Sequence, residues 1–174
     1  AGHSALVREY GAQILLPDQQ IDRAAVAAIA FADRDSVKRL NALIHPLVFE
    51  EEERVLSAEL ARFPGRDRIF VVEATLLLEA GGRQRYDRVV VVDVKPEQQI
   101  ERAVSRGMGR EEAKRRIALQ MERSERLRYA DYVIDNSGDL RTGEIETHRV
   151  FARLQKDLQA MTRGDFIPWS GLED

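Results

Sequence analysis

Cysteine is absent from the 174 residues, which removes disulfides, thiolate metal sites and a thiol nucleophile together and suits a reducing compartment. Aromatic residues make up only 6% of the chain, and neither sign of charge dominates: 27 Lys and Arg stand against 30 Asp and Glu, a formal net charge of −3. Proteins wrapped in nucleic acid usually carry a basic excess, and single-strand binders interleave aromatics with cations. Neither pattern occurs, so no nucleic-acid partner is expected. No stretch reaches the roughly 18 consecutive apolar residues of a membrane span. The opening AGHSAL carries neither a basic nor an apolar leader segment, and the expectation is a cytoplasmic protein with no membrane partner. One further shortage is specific. None of the 11 glycines precedes a lysine, so the sequence contains no Gly-x-x-x-x-Gly-Lys-[Ser/Thr], the loop whose amides and lysine cradle nucleotide phosphates.

What is present suffices for one core, or one core with a small appended module. Residues 3–10, with Ala5, Leu6 and Val7, predict a short helix stopped at Gly11. AQILLPDQQIDR reads as an extended excursion around a Pro-Asp turn, leading into a helix over 23–31. Asp33 or Asp35 can cap the next helix, on which Val37, Leu40 and Leu43 share a face. His45-Pro46 is expected to interrupt it, because the residue before a proline is pushed away from helical geometry. LVFEEEERVLSAELARF then follows as a separate long helix, so residues 1–66 read as a helical module.

The texture changes at Arg68. RIFVVEA and DRVVVVDV are continuous β-branched and aromatic runs, as in strands buried on both faces of a parallel sheet. About 15 residues separate them, enough for a crossover. Helical pattern from 96 to about 121, a third strand in ADYVIDN, and a long helix over 140–161 complete an α/β alternation of the doubly wound parallel kind. The expected organisation is a helical module at 1–66, an α/β core at 67–163 and a loose tail at 164–174.

QQIERAVSRGMGREEAKRRIALQ, residues 98–120, carries arginine at nearly every helical turn: Arg102, Arg106, Arg110, Arg115 and Arg116. On a helix starting near Glu97, Ile100, Ala103 and Val104 share one face, and Arg102 and Arg106 lie together on the opposite one. A solvated charged face would account for that pattern without any function. Two features point further. Like charges four residues apart repel by roughly 0.2–0.5 kcal/mol, and Arg106 runs directly into Gly-Met-Gly, whose backbone is free to hinge. The pair also follows the C-terminal end of a buried strand, where open α/β sheets take ligands, and guanidinium matches phosphate oxygens in bidentate fashion. The expectation is an arginine lid over about 102–123 that closes on phosphates. Phosphoryl transfer needs such a device, since its catalysis is positioning plus charge neutralisation.

The segments YGAQILLPDQQIDR, LNALIHPLV, LLLE, DRVVVVDVKPEQQIERAVSRGMGREEAKRRIALQM and ADYVIDNSGDL, in this order, resemble the dephospho-coenzyme A kinase family. The resemblance spans about residues 2–140. It implies a P-loop kinase-like fold that uses ATP and magnesium to phosphorylate the ribose 3′-hydroxyl of dephospho-CoA, the last step of coenzyme A synthesis. Carried over by motif, it implies that Arg102 of the Gln-x-x-Arg segment and the lid residue Arg106 act on the transferring phosphates. Arg116, on the returning helix, and Asn136 and Gly138 of the IDNSG loop are implied to bind the nucleotide. Asp22 and Arg23 of IDR, His45 of HP, and Leu76 and Glu79 of LLLE are implied to meet the acceptor, although a histidine before proline can equally be a packing residue. Glu73 stands where the family more often has aspartate, and Thr75 where it has proline. Glu73 keeps a carboxylate at the strand end where magnesium would be held, or is a strand-end carboxylate with no ligand.

The resemblance also implies a phosphate-binding loop and a catalytic aspartate ahead of residue 1. The sequence is therefore expected to be N-terminally incomplete by roughly 35 to 45 residues, a βαβ unit and a little more, and inactive by itself. Other expectations are a monomer or weak homo-oligomer. The alternatives are another nucleotide kinase of the same fold with a different acceptor, or a non-catalytic CoA-binding module.

Overall fold

The structure is a computed structural model and describes residues 2–30 and 32–169. Helix α1 (Gly2–Tyr10) stops where the sequence predicts, because Gly11 turns to φ 77° and donates its N–H back to the Val7 carbonyl at 2.8 Å. A short 3-10 turn (Ala12–Ile14) buries Ile14 completely, and an antiparallel bridge between Leu15 and Ile21 closes the Pro17-Asp18 excursion. Asp22 then starts α2 (Arg23–Ala30): its Oδ1 accepts the N–H groups of Ala24 at 2.9 Å and Ala25 at 3.1 Å. The expected end of this helix at Phe31 lies outside the described residues.

Of the two candidate caps for the next helix, Asp33 is used. It accepts the Ser36 N–H at 2.7 Å and opens α3 (Arg34–Arg62). Here one expectation fails, for α3 runs through His45 and Pro46 without a break. Proline removes one N–H donor and crowds the preceding turn. Pro46 is exposed, so water can solvate the carbonyl left without its partner. The acidic run after it forms helix readily and supports itself with pairs such as Glu51 and Arg54.

These helices form one compact unit, Ala1–Arg66, and the rest of the chain forms a second, Asp67–Asp174. In the second unit the expected strand RIFVVEA joins no ladder among the described residues, and the sheet there has two strands, not three. A strand is defined by its ladder, and no neighbour offers one here, which leaves Val71 81% exposed. The crossover is built of turns over 75–81 and a 3-10 stretch (Gly82–Arg85). Gly82 is obligatory in that stretch, since a Cβ there would lie 2.9 Å from the Leu77 carbonyl oxygen.

The other two strands are where the valines and ADYVIDN place them. Strand β1 (Val90–Asp93) pairs in parallel with β2 (Tyr132–Asp135), Val91 opposite Val133 and Asp93 opposite Asp135. Between them the helical pattern predicted over 96 to about 121 divides into α4 (Pro96–Ser105) and α5 (Arg110–Ala118), and a short α6 (Arg123–Arg128) follows beyond it. The first division falls at Gly-Met-Gly, where Gly107 takes φ 93°, a region that costs a side chain dearly. Asp139 caps α7 (Leu140–Arg163), which Gly164 ends at φ 79°. Val89, Val91, Ala113 and Val150 form the small core of this unit.

The tail is not loose over its described part. Arg88 donates to the Ile167 carbonyl at 3.0 Å and stacks 4.1 Å from the Phe166 ring, while the buried Arg83 stacks 4.4 Å from Trp169. Residues 170–174 lie outside the described residues.

Candidate functional site

The C-terminal ends of β1 and β2 are where a parallel sheet leaves backbone groups and room for a ligand, and the chain gathers polar side chains there. Residue 136 is the first after β2. Its N–H donates to the Asp93 carbonyl at 2.8 Å, extending the ladder by one bond, and its own carbonyl accepts from Arg102 Nη2 at 2.8 Å. Two sequence-predicted site residues, Arg102 and Asn136, are thus brought together. Gln98, one turn earlier on α4, donates through Nε2 to the Ser137 carbonyl at 3.0 Å. The loop bends because Asp135 accepts the Ser137 N–H at 2.8 Å, and its carboxyl is held below the usual carboxylate range, first by the Ser137 hydroxyl and then by that N–H. Gly138 has a packing reason to be glycine, since a Cβ would sit 2.9 Å from Cβ of Thr142.

Arg106, four residues after Arg102, is exposed, and its Nε donates to the Arg102 carbonyl at 3.1 Å. Arg116 lies on α5 and pairs with Glu112 at 2.6 Å on an exposed face. Glu79 does something the sequence does not announce: its Oε1 accepts the Met121 N–H at 2.7 Å, tying the segment after α5 to the turn over 75–80. Leu76 is half-buried in that turn, with its carbonyl accepting the Ala80 N–H at 3.0 Å. Glu73 is exposed on the run before it. In the helical unit, Asp22 is the cap of α2, Arg23 is exposed at that helix's first position, and half-buried His45 stacks obliquely 6.3 Å from Phe49.

A pair that sequence reading misses completes the strand ends. Asp93, the last residue of β1 and only 8% exposed, receives Arg123 Nε at 2.8 Å and Nη2 at 2.5 Å. This bidentate fork strengthens the Arg123 cation, raising its already high pKa. The carboxylate that closes the valine run is visible in the sequence, but its partner is 30 residues away at no local spacing, so nothing short of the fold joins them. The arrangement offers arginine cations at one end of a parallel sheet, a setting suited to oxyanions. Among the described residues no group of three or more His, Cys, Asp or Glu is placed to hold a metal ion.

Comparison with known proteins is consistent along most of the chain. The family model described as dephospho-CoA kinase matches residues 1–142. A dephospho-CoA kinase of Aquifex aeolicus is 34% identical over 155 residues, covering 89% of this chain and 76% of that protein. One from Geobacter metallireducens is 42% identical over 158 residues, covering 89% and 74%. Among solved structures, the crystal structure of TT1252 from Thermus thermophilus superposes with a TM-score of 0.66 at 30% identity, covering 87% of this chain and 75% of that one. Motif order, the arginine-bearing α4 and α5, the IDNSG loop at the strand ends and these matches agree, and the chain belongs to the dephospho-CoA kinase family.

Proposed function

We propose that this chain supplies the acceptor-binding and lid parts of an ATP-dependent transfer of a phosphoryl group to the ribose 3′-hydroxyl of dephospho-CoA. The observation that carries the reading is the anchoring of Arg102 on the Asn136 carbonyl at the strand ends, with Arg106 exposed beside the Gly107 hinge. A guanidinium held there by one N–H can neutralise phosphate charge with the rest of its fork, and a second on a hinge can close over it. In this reading Arg102 and Arg106 stabilise the transferring group. Arg116, Asn136 and Gly138 border the nucleotide. Asp22, Arg23, His45, Leu76 and Glu79 serve the acceptor.

Magnesium fits the donor chemistry of Glu73, an exposed hard-oxygen carboxylate, since that ion usually takes one or two carboxylates and fills its shell with phosphate oxygens and water. When bound it would neutralise charge on the bridging phosphates. Glu73 would hold it directly or through water.

The 174 residues contain no Gly-x-x-x-x-Gly-Lys-[Ser/Thr], so this chain alone is proposed to turn over no ATP. That absence also favours a second reading, a CoA-binding module without catalysis. One assay separates them. Phosphate transfer from ATP to dephospho-CoA is measured for the chain alone and for the chain carrying the phosphate loop and first strand of a relative ahead of Ala1. The expected result is no turnover for the first and recovery for the second, with Arg102→Gln then lowering kcat by about 10³-fold or more. Turnover by the chain alone at about 1–100 s⁻¹ overturns the need for the loop, and an inactive chimera that still binds dephospho-CoA favours the module.

A further inference from the structure

We propose that residues 165–169 form a strap that locks the starting ends of β1 and β2 through Arg83 and Arg88, so that this end of the sheet opens only when the strap lets go. The strap lies beyond the residues that the family model matches. It also sits at the opposite end of the strands from the candidate site, so the inference does not rest on the catalytic reading.

The strap begins with local sequence. Helix α7 ends at Gly164, whose φ of 79° suits glycine alone at little cost, and the Asp165 N–H returns to the Ala160 carbonyl at 2.9 Å, which turns the chain off the helix. Over the next four residues only the rings are partly covered. Phe166 and Trp169 are half-buried, while Ile167 and Pro168 are exposed. Pro168 fixes its own φ between the rings, so less chain freedom is lost when the strap closes.

Each ring meets one arginine, and each arginine holds the strand starts. Trp169 stacks 4.4 Å from the guanidinium of Arg83, which is 4% exposed and has a buried Nε without a hydrogen-bond partner. With water excluded there, the ring face compensates part of the charge. Arg83 donates to Asp131 Oδ2 at 2.6 Å, and the same oxygen accepts the Val89 N–H at 2.7 Å. The Asp131 N–H in turn donates to the Val89 carbonyl at 2.9 Å, so this joint closes the ladder just ahead of β1 and β2. Phe166 stacks 4.1 Å from Arg88, which forks onto Asp157 of α7 at 2.9 Å and 3.3 Å and donates to the Ile167 carbonyl at 3.0 Å. Tyr132, the first residue of β2, gives its hydroxyl hydrogen to the same Asp157 carboxylate at 2.7 Å. A shallow cleft of about 350 Å³ lies between the strap and Arg88, Asp131 and Tyr132. The strap is thus held by two rings and one carbonyl rather than by a continuous core, and without the rings it comes free.

The test is amide hydrogen exchange by mass spectrometry on the purified 174-residue chain. The paired variant Phe166→Leu with Trp169→Leu keeps the strap's length and apolar bulk and removes both ring faces. Its amides over 83–90 and 129–133 are expected to exchange about tenfold faster than the parent's, while those of α4 over 97–105 keep the parent rate. Trp169→Phe, which retains a ring face for Arg83, is expected to stay near the parent, and Trp169→Leu alone to fall between. These single variants carry the comparison if the paired variant shows no cooperative thermal melt. Unchanged exchange over 83–90 and 129–133 overturns the proposal. An equal rise over 97–105 also overturns it, because that marks a general loss of stability rather than a lock on one end of the sheet. So does Trp169→Phe exchanging as fast as Trp169→Leu, since the ring over the cation would then hold nothing.

Discussion

The Asp22 carboxylate accepts two amide hydrogens at the start of α2, while Arg23 beside it is exposed. These neighbours share a motif but not a job. Replacing Asp22 by alanine should destabilise the helical unit by about 1 kcal/mol, the typical worth of a cap, whereas asparagine caps nearly as well. Urea unfolding of the two variants checks this. Equal losses from both substitutions would mean that the charge itself, not the cap, is what matters there. If Asp22 also meets the acceptor through its charge, Asp22→Asn weakens dephospho-CoA binding at unchanged stability, a split that calorimetry reads directly. Arg102 shows the same duality with a different outcome, because one N–H bond to Asn136 does not exhaust a five-donor fork.

Among the elements, the junction of β2 with α7 is the most constrained. A methyl added at Gly138 would lie 2.9 Å from Cβ and 3.0 Å from Cγ2 of Thr142, and Asp139 caps α7 on the Thr142 N–H at 2.8 Å. Gly138→Ala should therefore cost about 1–3 kcal/mol, the usual range for overpacking. Thr142→Ser should not rescue it, since the nearest offending atom is the Cβ that serine retains. Thermal melting of the single and double variants decides this, and full rescue by serine would contradict the packing described. The elements that periodicity and capping made legible were those with local causes: α1 with its stop at Gly11, α2 by its apolar pattern though not by its Asp22 cap, the start of α3 at one of two candidate caps, and the valine strand. That 68–74 stays outside the sheet was not legible, because a strand depends on a neighbour that its own residues do not encode. The unbroken α3 escaped notice because the local rule about proline yields to solvation of one exposed turn. Of the strand-end site, Arg102, Asn136 and Gly138 could be found through motifs; the Asp93–Arg123 fork could not, since it rests on distance in space alone.

At the scale of the molecule, the second unit presents an apolar run outside its sheet with Phe70 42%, Val71 81% and Val72 39% exposed, and β1 shows Val92 at 59%. Unpaired extended backbone with apolar side chains is a template for pairing with another chain. The chain should therefore self-associate weakly in a concentration-dependent way, and Val71→Glu should shift its mass by light scattering toward the monomer value of 19.8 kDa. A monomeric parent at high concentration would remove the argument. The described part of the tail adds a different property to the same unit. The sequence has a single tryptophan, and Trp169 rests on buried Arg83 in the unit Asp67–Asp174, 6.1 Å from Tyr129. Its fluorescence is thus a built-in reporter on one half of the chain, while far-ultraviolet ellipticity sums the helices of both. Recording both signals on one heated sample shows directly whether the halves melt together or in turn, with no label and no mutation.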